Sequence, residues 1–248
     1  MDAVLCDRAP LVRGMKPPSR LLWAAELPRA AFGLASLLGA RRKLDAAPRG
    51  DGRPVLLLPG MINSDRSMVV LRRYLRRLGY RAEGWGLGRN LGVRAIGFEG
   101  ALLLERVRSL HAETGQRVTL VGVSLGGIMA RYAAHRLPDA VAEVITISSP
   151  FAGSPLATNV WRTFQLLTGE RIDSPGVLAQ RKLVAEPLPV PSTAIWSRSD
   201  GFVNGMICHD ANGRTIEVRS SHVLVQVRPE VLLAVARVLG ESSAAQAA

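Results

Sequence analysis

Two patterns of apolar and polar positions alternate along most of this chain. Val55-Leu56-Leu57-Leu58, the run Arg117 to Val123, and Val144-Ile145-Thr146-Ile147 are short and nearly continuous in apolar residues, as expected of strands buried on both faces. Tyr80 to Trp85, Thr193 to Ser197 and Thr215 to Val218 read as further strands. Between them the period changes to that of a helix. Leu71, Tyr74, Leu75 and Leu78 share one face, Arg72, Arg73, Arg76 and Arg77 the other, and Gly79 stops the turn. A second helix spans about Gly97 to Thr114 on Leu103, Val107 and Leu110 and ends at Gly115; a third follows Ser124, with Arg131 and Arg136 marking its solvent side and Pro138 closing it. Pro229 to Leu239 forms the last. The alternation predicts an α/β fold with a mostly parallel, doubly wound sheet, whose active site lies at the carboxyl ends of the strands.

Two stretches depart from the alternation. Ser148 to Pro191 is too long for a plain loop and carries Val160, Trp161, Phe164, Leu166 and Leu167, so residues 151–191 read as a small helical cap insertion. Leu21 to Leu38 is apolar but interrupted by Glu26, Pro28 and Arg29, and the clean remainder, Ala30 to Ala40, is too short to cross a bilayer. It reads as an amphipathic helix lying on the domain or, through residues 21–40, on a membrane surface. Arg41 to Pro54 looks like a connector. The resulting division is an N-terminal extension, 1–52, a main α/β domain, 53–240, and a disordered tail, 241–248.

Composition adds limits. With 248 residues, 48% of them apolar, one domain can bury a full core. The net charge of +12 rests on Arg, since only Lys16, Lys43 and Lys182 are lysines. Attraction to anionic lipid is one reading, and a composition biased towards Arg and Ala is the plainer one. Aromatics are 5% and never interleave with Arg, which excludes a nucleic-acid partner. Cys6 and Cys208 form neither a disulfide framework nor a metal cluster, so no metal and no cofactor is expected. The first twenty residues lack the apolar core of a secretory signal, which points to the cytoplasm, with membrane association at most.

The chemistry centres on Gly122-Val123-Ser124-Leu125-Gly126, a G-x-S-x-G between a strand and a helix. Such an elbow lifts the serine hydroxyl above the sheet, and small neighbours avoid a clash in the turn. Serine needs a base. His111 and His135 fall inside helices and His209 in a loop beside Cys208, whereas His222 follows the last strand. Asp200 comes directly after a strand and stands as the acid that orients it; Asp210 and Asp173 remain alternatives. An oxyanion would be held by the N–H of Leu125 and by that of Met61 after Pro59-Gly60.

Leu57-Leu58-Pro59-Gly60, Gly122 to Gly127, Ser148 to Gly153, Ser197 to Gly201 and Ser221-His222 together resemble a bacterial α/β-hydrolase of the lipase and esterase kind over about Arg53 to Leu239. In that family the first motif is usually His-Gly; here it is Pro59-Gly60, which keeps the backbone donor and removes any role for the histidine. The resemblance maps the family's nucleophile, acid, base and oxyanion donors onto Ser124, Asp200, His222, Leu125 and Met61. It implies hydrolysis of small hydrophobic, lipid-like esters. Acyl transfer by the same triad and a non-catalytic binding protein are the alternatives, and the oligomeric state is left open.

Overall fold

The computed structural model describes residues 15–247. The readings placed on residues 1–14, Cys6 included, lie outside the described residues, as does Ala248. In chain order the elements are α1 (Arg20–Ala24), α2 (Glu26–Asp45), β1 (Pro54–Leu58), α3 (Val69–Leu78), β2 (Arg81–Gly84), α4 (Val93–Ile96), α5 (Ala101–Thr114), β3 (Val118–Val123), α6 (Leu125–Arg136), β4 (Val141–Ile147), α7 (Trp161–Thr168), α8 (Pro175–Ala185), β5 (Ser192–Trp196), β6 (Arg214–Glu217) and α9 (Pro229–Ala247). The six strands form one sheet in the order β2-β1-β3-β4-β5-β6, every pair parallel.

The apolar runs are continuous because both faces are covered. Val55 and Leu57 of β1 and Val121 and Val123 of β3 point to a core shared with Leu44, Leu71, Leu75, Val231 and Val235 from α2, α3 and α9. Leu56, Leu58 and Leu120 point the other way, onto Leu103 and Val107 of α5 and Met129 and Ala133 of α6. Successive residues of a strand face opposite sides, so a strand between two helical layers has no polar alternation to show.

Several boundaries move, each for a packing reason. β4 starts at Val141, before the charged Glu143, because that buried carboxylate accepts from Thr119 (3.3 Å) and Ser242 (2.8 Å) and faces Arg53 at 3.6 Å. α2 continues into the first part of the stretch read as a connector, to Asp45, since Leu44 is buried in the core and its carbonyl accepts from the Tyr74 hydroxyl. Pro28 does not break this helix: it sits in the first turn, where N–H groups have no partner within the helix. α9 extends to Ala247, past the residue where the sequence pattern ends it; Glu241 in that added part pairs with Arg214. Among the described residues no helix is long and apolar enough to cross a membrane.

Candidate active site

β3 runs straight into α6, and Ser124 occupies the turn between them with φ 51° and ψ −119°. A non-glycine residue with positive φ is strained by about 1–3 kcal/mol and persists only where the surroundings over-determine it. Here Ser124 N donates to Ile147 O of the neighbouring strand at 2.8 Å, and Ser124 O accepts from Gly127 N at 3.0 Å. The flanking glycines are steric requirements. A Cβ on Gly122 would stand 2.5 Å from Gly127 Cα, and one on Gly126 would stand 2.6 Å from Pro59 O.

His222 and Asp200 meet Ser124 from two loops at the same sheet end. His222 Nε2 lies 3.1 Å from Ser124 Oγ, and His222 Nδ1 lies 2.7 Å from Asp200 Oδ2. Asp200 is buried, and its other oxygen accepts from the backbone N–H of Phe202 and of Val203, each at 2.9 Å, which turns Oδ2 towards the imidazole. Burial alone would lower the His222 pKa, but the Asp200 carboxylate, with a smaller contribution from Glu26, outweighs it and holds the imidazole above its usual value. The Phe202 ring packs beside it, centroids 5.4 Å apart.

The competing residues are elsewhere. His111 Nδ1 is 2.8 Å from Gln116 O on the surface, and His209 packs edge-on against Trp196. His135 is carried on α6, whose start rather than its end lies at Ser124. Asp173 forms an exposed pair with Arg171. Asp210 is buried against Arg131 at 2.7 Å. Arg131 therefore does not mark the solvent side of α6: its guanidinium also donates to Val184 O and Glu186 O at the end of α8 and stacks over Phe151. The cap covers that face of the helix, which the period of a single element cannot reveal.

Leu125 is the first residue of α6, so its N–H has no acceptor within the helix. Met61 lies in the turn after β1, and both residues line the same cavity as Ser124. A methyl placed on Gly60 would be 3.5 Å from Ser124 Cβ, which puts this turn alongside the hydroxyl. Asn90, which the sequence pattern did not single out, is buried and fastens the turn: its Nδ2 donates to Pro59 O at 2.7 Å, its carbonyl accepts from Ile62 N and its N–H donates to Asn63 O, both at 2.8 Å. An asparagine in a Gly-rich loop carries no signal of such a role.

The cavity runs from Ser124 between α6 and the cap. Ile128 and Tyr132 form one wall, Trp161, Phe164 and Val177 the other. Two ionisable groups interrupt the apolar lining. Burial raises the Glu170 pKa, against the hydrogen bond that its carboxylate accepts from Val93 N at 2.8 Å, and burial lowers that of Arg181. Among the described residues no three His, Cys, Asp or Glu side chains converge to hold a metal ion.

A family model described as the alpha/beta hydrolase fold matches residues 104–203. A triacylglycerol lipase of Pseudomonas fragi is 39% identical over 66 residues, which are 26% of this chain and 22% of that one. A triacylglycerol lipase of Pseudarthrobacter phenanthrenivorans is 32% identical over 114 residues, 42% of this chain and 35% of that one. The chain thus spans about a third or less of the length of these relatives. Of solved structures, the mature lipase BlEst2 of Bacillus licheniformis superposes with a TM-score of 0.57 at 17% identity, covering 77% of this chain and 92% of that one. A monoacylglycerol lipase of Paleococcus ferrophilus superposes with a TM-score of 0.56 at 16% identity, covering 79% and 96%. At such identities the likeness is one of fold.

Proposed function

The chain has the α/β-hydrolase fold and resembles bacterial lipases and esterases, and from that premise we propose that it cleaves carboxylic esters through an acyl-enzyme formed on Ser124. The observation that carries the proposal is the continuous chain of hydrogen bonds from Asp200 through His222 to Ser124. His222 Nε2 takes the hydroxyl proton as Ser124 Oγ attacks the ester carbonyl. The tetrahedral oxyanion is stabilised by the N–H groups of Leu125 and Met61 and by the start of α6. As the carbonyl–alkoxy bond breaks, the imidazolium returns the proton to the departing alcohol. Water, deprotonated by the same nitrogen, then releases the acid. Asp200 keeps Nδ1 protonated and the ring aligned throughout.

The mainly apolar cavity supports a hydrophobic acyl group, and lipid-like esters fit both that lining and the lipases named above. Leu21, Leu27, Phe32 and Leu38 on α1 and α2 are more than two-thirds exposed, which supports peripheral contact with a membrane by this part of the chain.

The test is hydrolysis of p-nitrophenyl esters of graded chain length, beside labelling with a fluorophosphonate. Wild-type protein should turn over and label, and folded Ser124→Ala should lose turnover by about 10⁴-fold or more and label not at all. A folded Ser124→Ala protein that keeps the wild-type rate would falsify the proposal. Absence of both turnover and labelling in the wild type would favour a binding protein built on the same fold.

A further inference from the structure

We infer that Glu26 is a positioning residue for the acid and the histidine, which makes α2 part of the active site; this rests on reading Ser124, His222 and Asp200 as the catalytic set. Glu26 is almost fully buried although it opens α2 at the far end of the chain from both partners. Its Oε1 accepts from Gly201 N at 2.7 Å and its Oε2 from Val223 N at 2.8 Å. Those are the residues directly after Asp200 and after His222. A single rigid carboxylate thus bridges the two loops that must hold Nδ1 and Oδ2 in register, and each bond is strengthened by the full charge.

Independent contacts make the same connection. Arg29, one turn further along α2, donates to Ser199 O at 2.5 Å, to Ser199 Oγ at 2.7 Å and to Ser220 O at 2.7 Å, so it ties together the residue before Asp200 and the one two before His222. Asn159 Nδ2 donates to both Pro18 O and Gly201 O. Gly201 itself is explained by this approach: a Cβ there would run into Leu22 O of α1 and stand 2.9 Å from Glu26 Cγ. A helix that only covered the core would need neither a buried carboxylate nor an arginine aimed at these carbonyls.

The charge matters as well as the geometry. Among the described residues the charges acting on His222 are those of Asp200 and Glu26; Arg29 stands 3.9 Å from Glu26, and buried Cys208 lies near Asp200 with its thiol pushed well above the ordinary range by burial. Glu26 adds to the stabilisation of the imidazolium, so its removal lowers the pH at which His222 takes up a proton.

Two substitutions separate charge from reach. Glu26→Gln keeps the length, loses the charge and leaves one of the two N–H groups facing an amide NH₂. It should lower kcat by about tenfold to a hundredfold, the loss of one charge-assisted hydrogen bond, with KM little changed. The acid limb of the rate profile and the His222 titration followed by NMR should both move to lower pH. Glu26→Asp keeps the charge but cannot span both N–H groups, so kcat should fall while the acid limb stays in place. Wild-type kcat, limb and His222 titration in folded Glu26→Gln overturn the inference. Should that variant not fold, wild-type kcat in Glu26→Asp overturns it equally. If the wild-type protein hydrolyses no ester and takes no fluorophosphonate, the hydrolase reading falls, and the NMR titration of Glu26→Gln still decides whether Glu26 acts on His222.

Discussion

At the scale of single residues, Ser124 is held in a conformation that glycine favours, and its environment decides whether the hydroxyl can react. The decisive neighbour is His222, whose raised pKa follows from Asp200 beside it. In the proposed mechanism only the neutral imidazole takes the serine proton, so ester turnover should fall as the pH drops through the raised value. Asp200→Asn removes the charge that holds it up. The acid limb should then move to lower pH while kcat falls by about 10⁴-fold, because the ring loses its enforced tautomer. A pH–rate profile of the variant checks both, and an unmoved limb would assign the raised value to some other group. Ser124, His222 and Asp200 were legible in sequence because a G-x-S-x-G after a strand, then an acid and a histidine each after a later strand, already imply one sheet end. Glu26, Arg29 and Asn90 were not. They act mainly on backbone groups, and a backbone partner leaves no mark on residue identity.

At the scale of elements, the cap is fastened to α6 by Arg131. The guanidinium of this α6 residue bonds Asp210 at 2.7 Å and two carbonyls at the end of α8. Burial alone would raise the Asp210 pKa, but hydrogen bonds from Ser192 and Arg131 and the guanidinium charge outweigh it and hold the carboxyl below its usual value. The pair's stabilisation is therefore fully present above about pH 4, the carboxylate's unfolded-state range, and is lost as pH falls through the lower folded value. Asp210→Ala leaves a buried guanidinium uncompensated and should destabilise by about 3–5 kcal/mol at neutral pH. Exchanging both partners in Arg131→Met/Asp210→Leu should recover most of that loss. Urea unfolding of the single and double variants is the measurement; equal destabilisation in both would mean that packing of the cap, not the unpaired charge, dominates. Helix period placed Arg131 towards solvent because it describes an element alone, before another is laid on top of it.

For the whole molecule, the proposed membrane contact rests on the net charge of +12 and the exposed side chains of α1 and α2. Arg20, Arg41, Arg42 and Lys43 on these helices are exposed beside the apolar residues. The protein should sediment with vesicles containing phosphatidylserine more than with neutral ones, and less as salt screens the attraction. Leu27→Ser/Leu34→Ser should weaken the partition by about tenfold or more, as burying each leucine contributes roughly 1.5–3 kcal/mol, while hydrolysis of a short soluble ester is retained. Equal partition into both kinds of vesicle, unchanged by the substitutions, would dissociate these helices from any membrane role.

The sequence by itself determined the layered α/β architecture, the position of the inserted helices and the three residues, Ser124, Asp200 and His222, that meet at one end of the sheet. Those features rest on local rules: the two periods of apolar residues, the sterics of a tight turn, and chain order along a parallel sheet. Only the tertiary structure decided that Glu26 of α2 bonds the loops carrying Asp200 and His222, that Arg131 faces inward, and that a continuous hydrogen-bond chain reaches from Asp200 to Ser124. These depend on contacts across 175 residues or more for Glu26, and 79 for Arg131 with Asp210. The direction in which a buried charge points is set by the partner that packs on it, and no local pattern carries that partner's position.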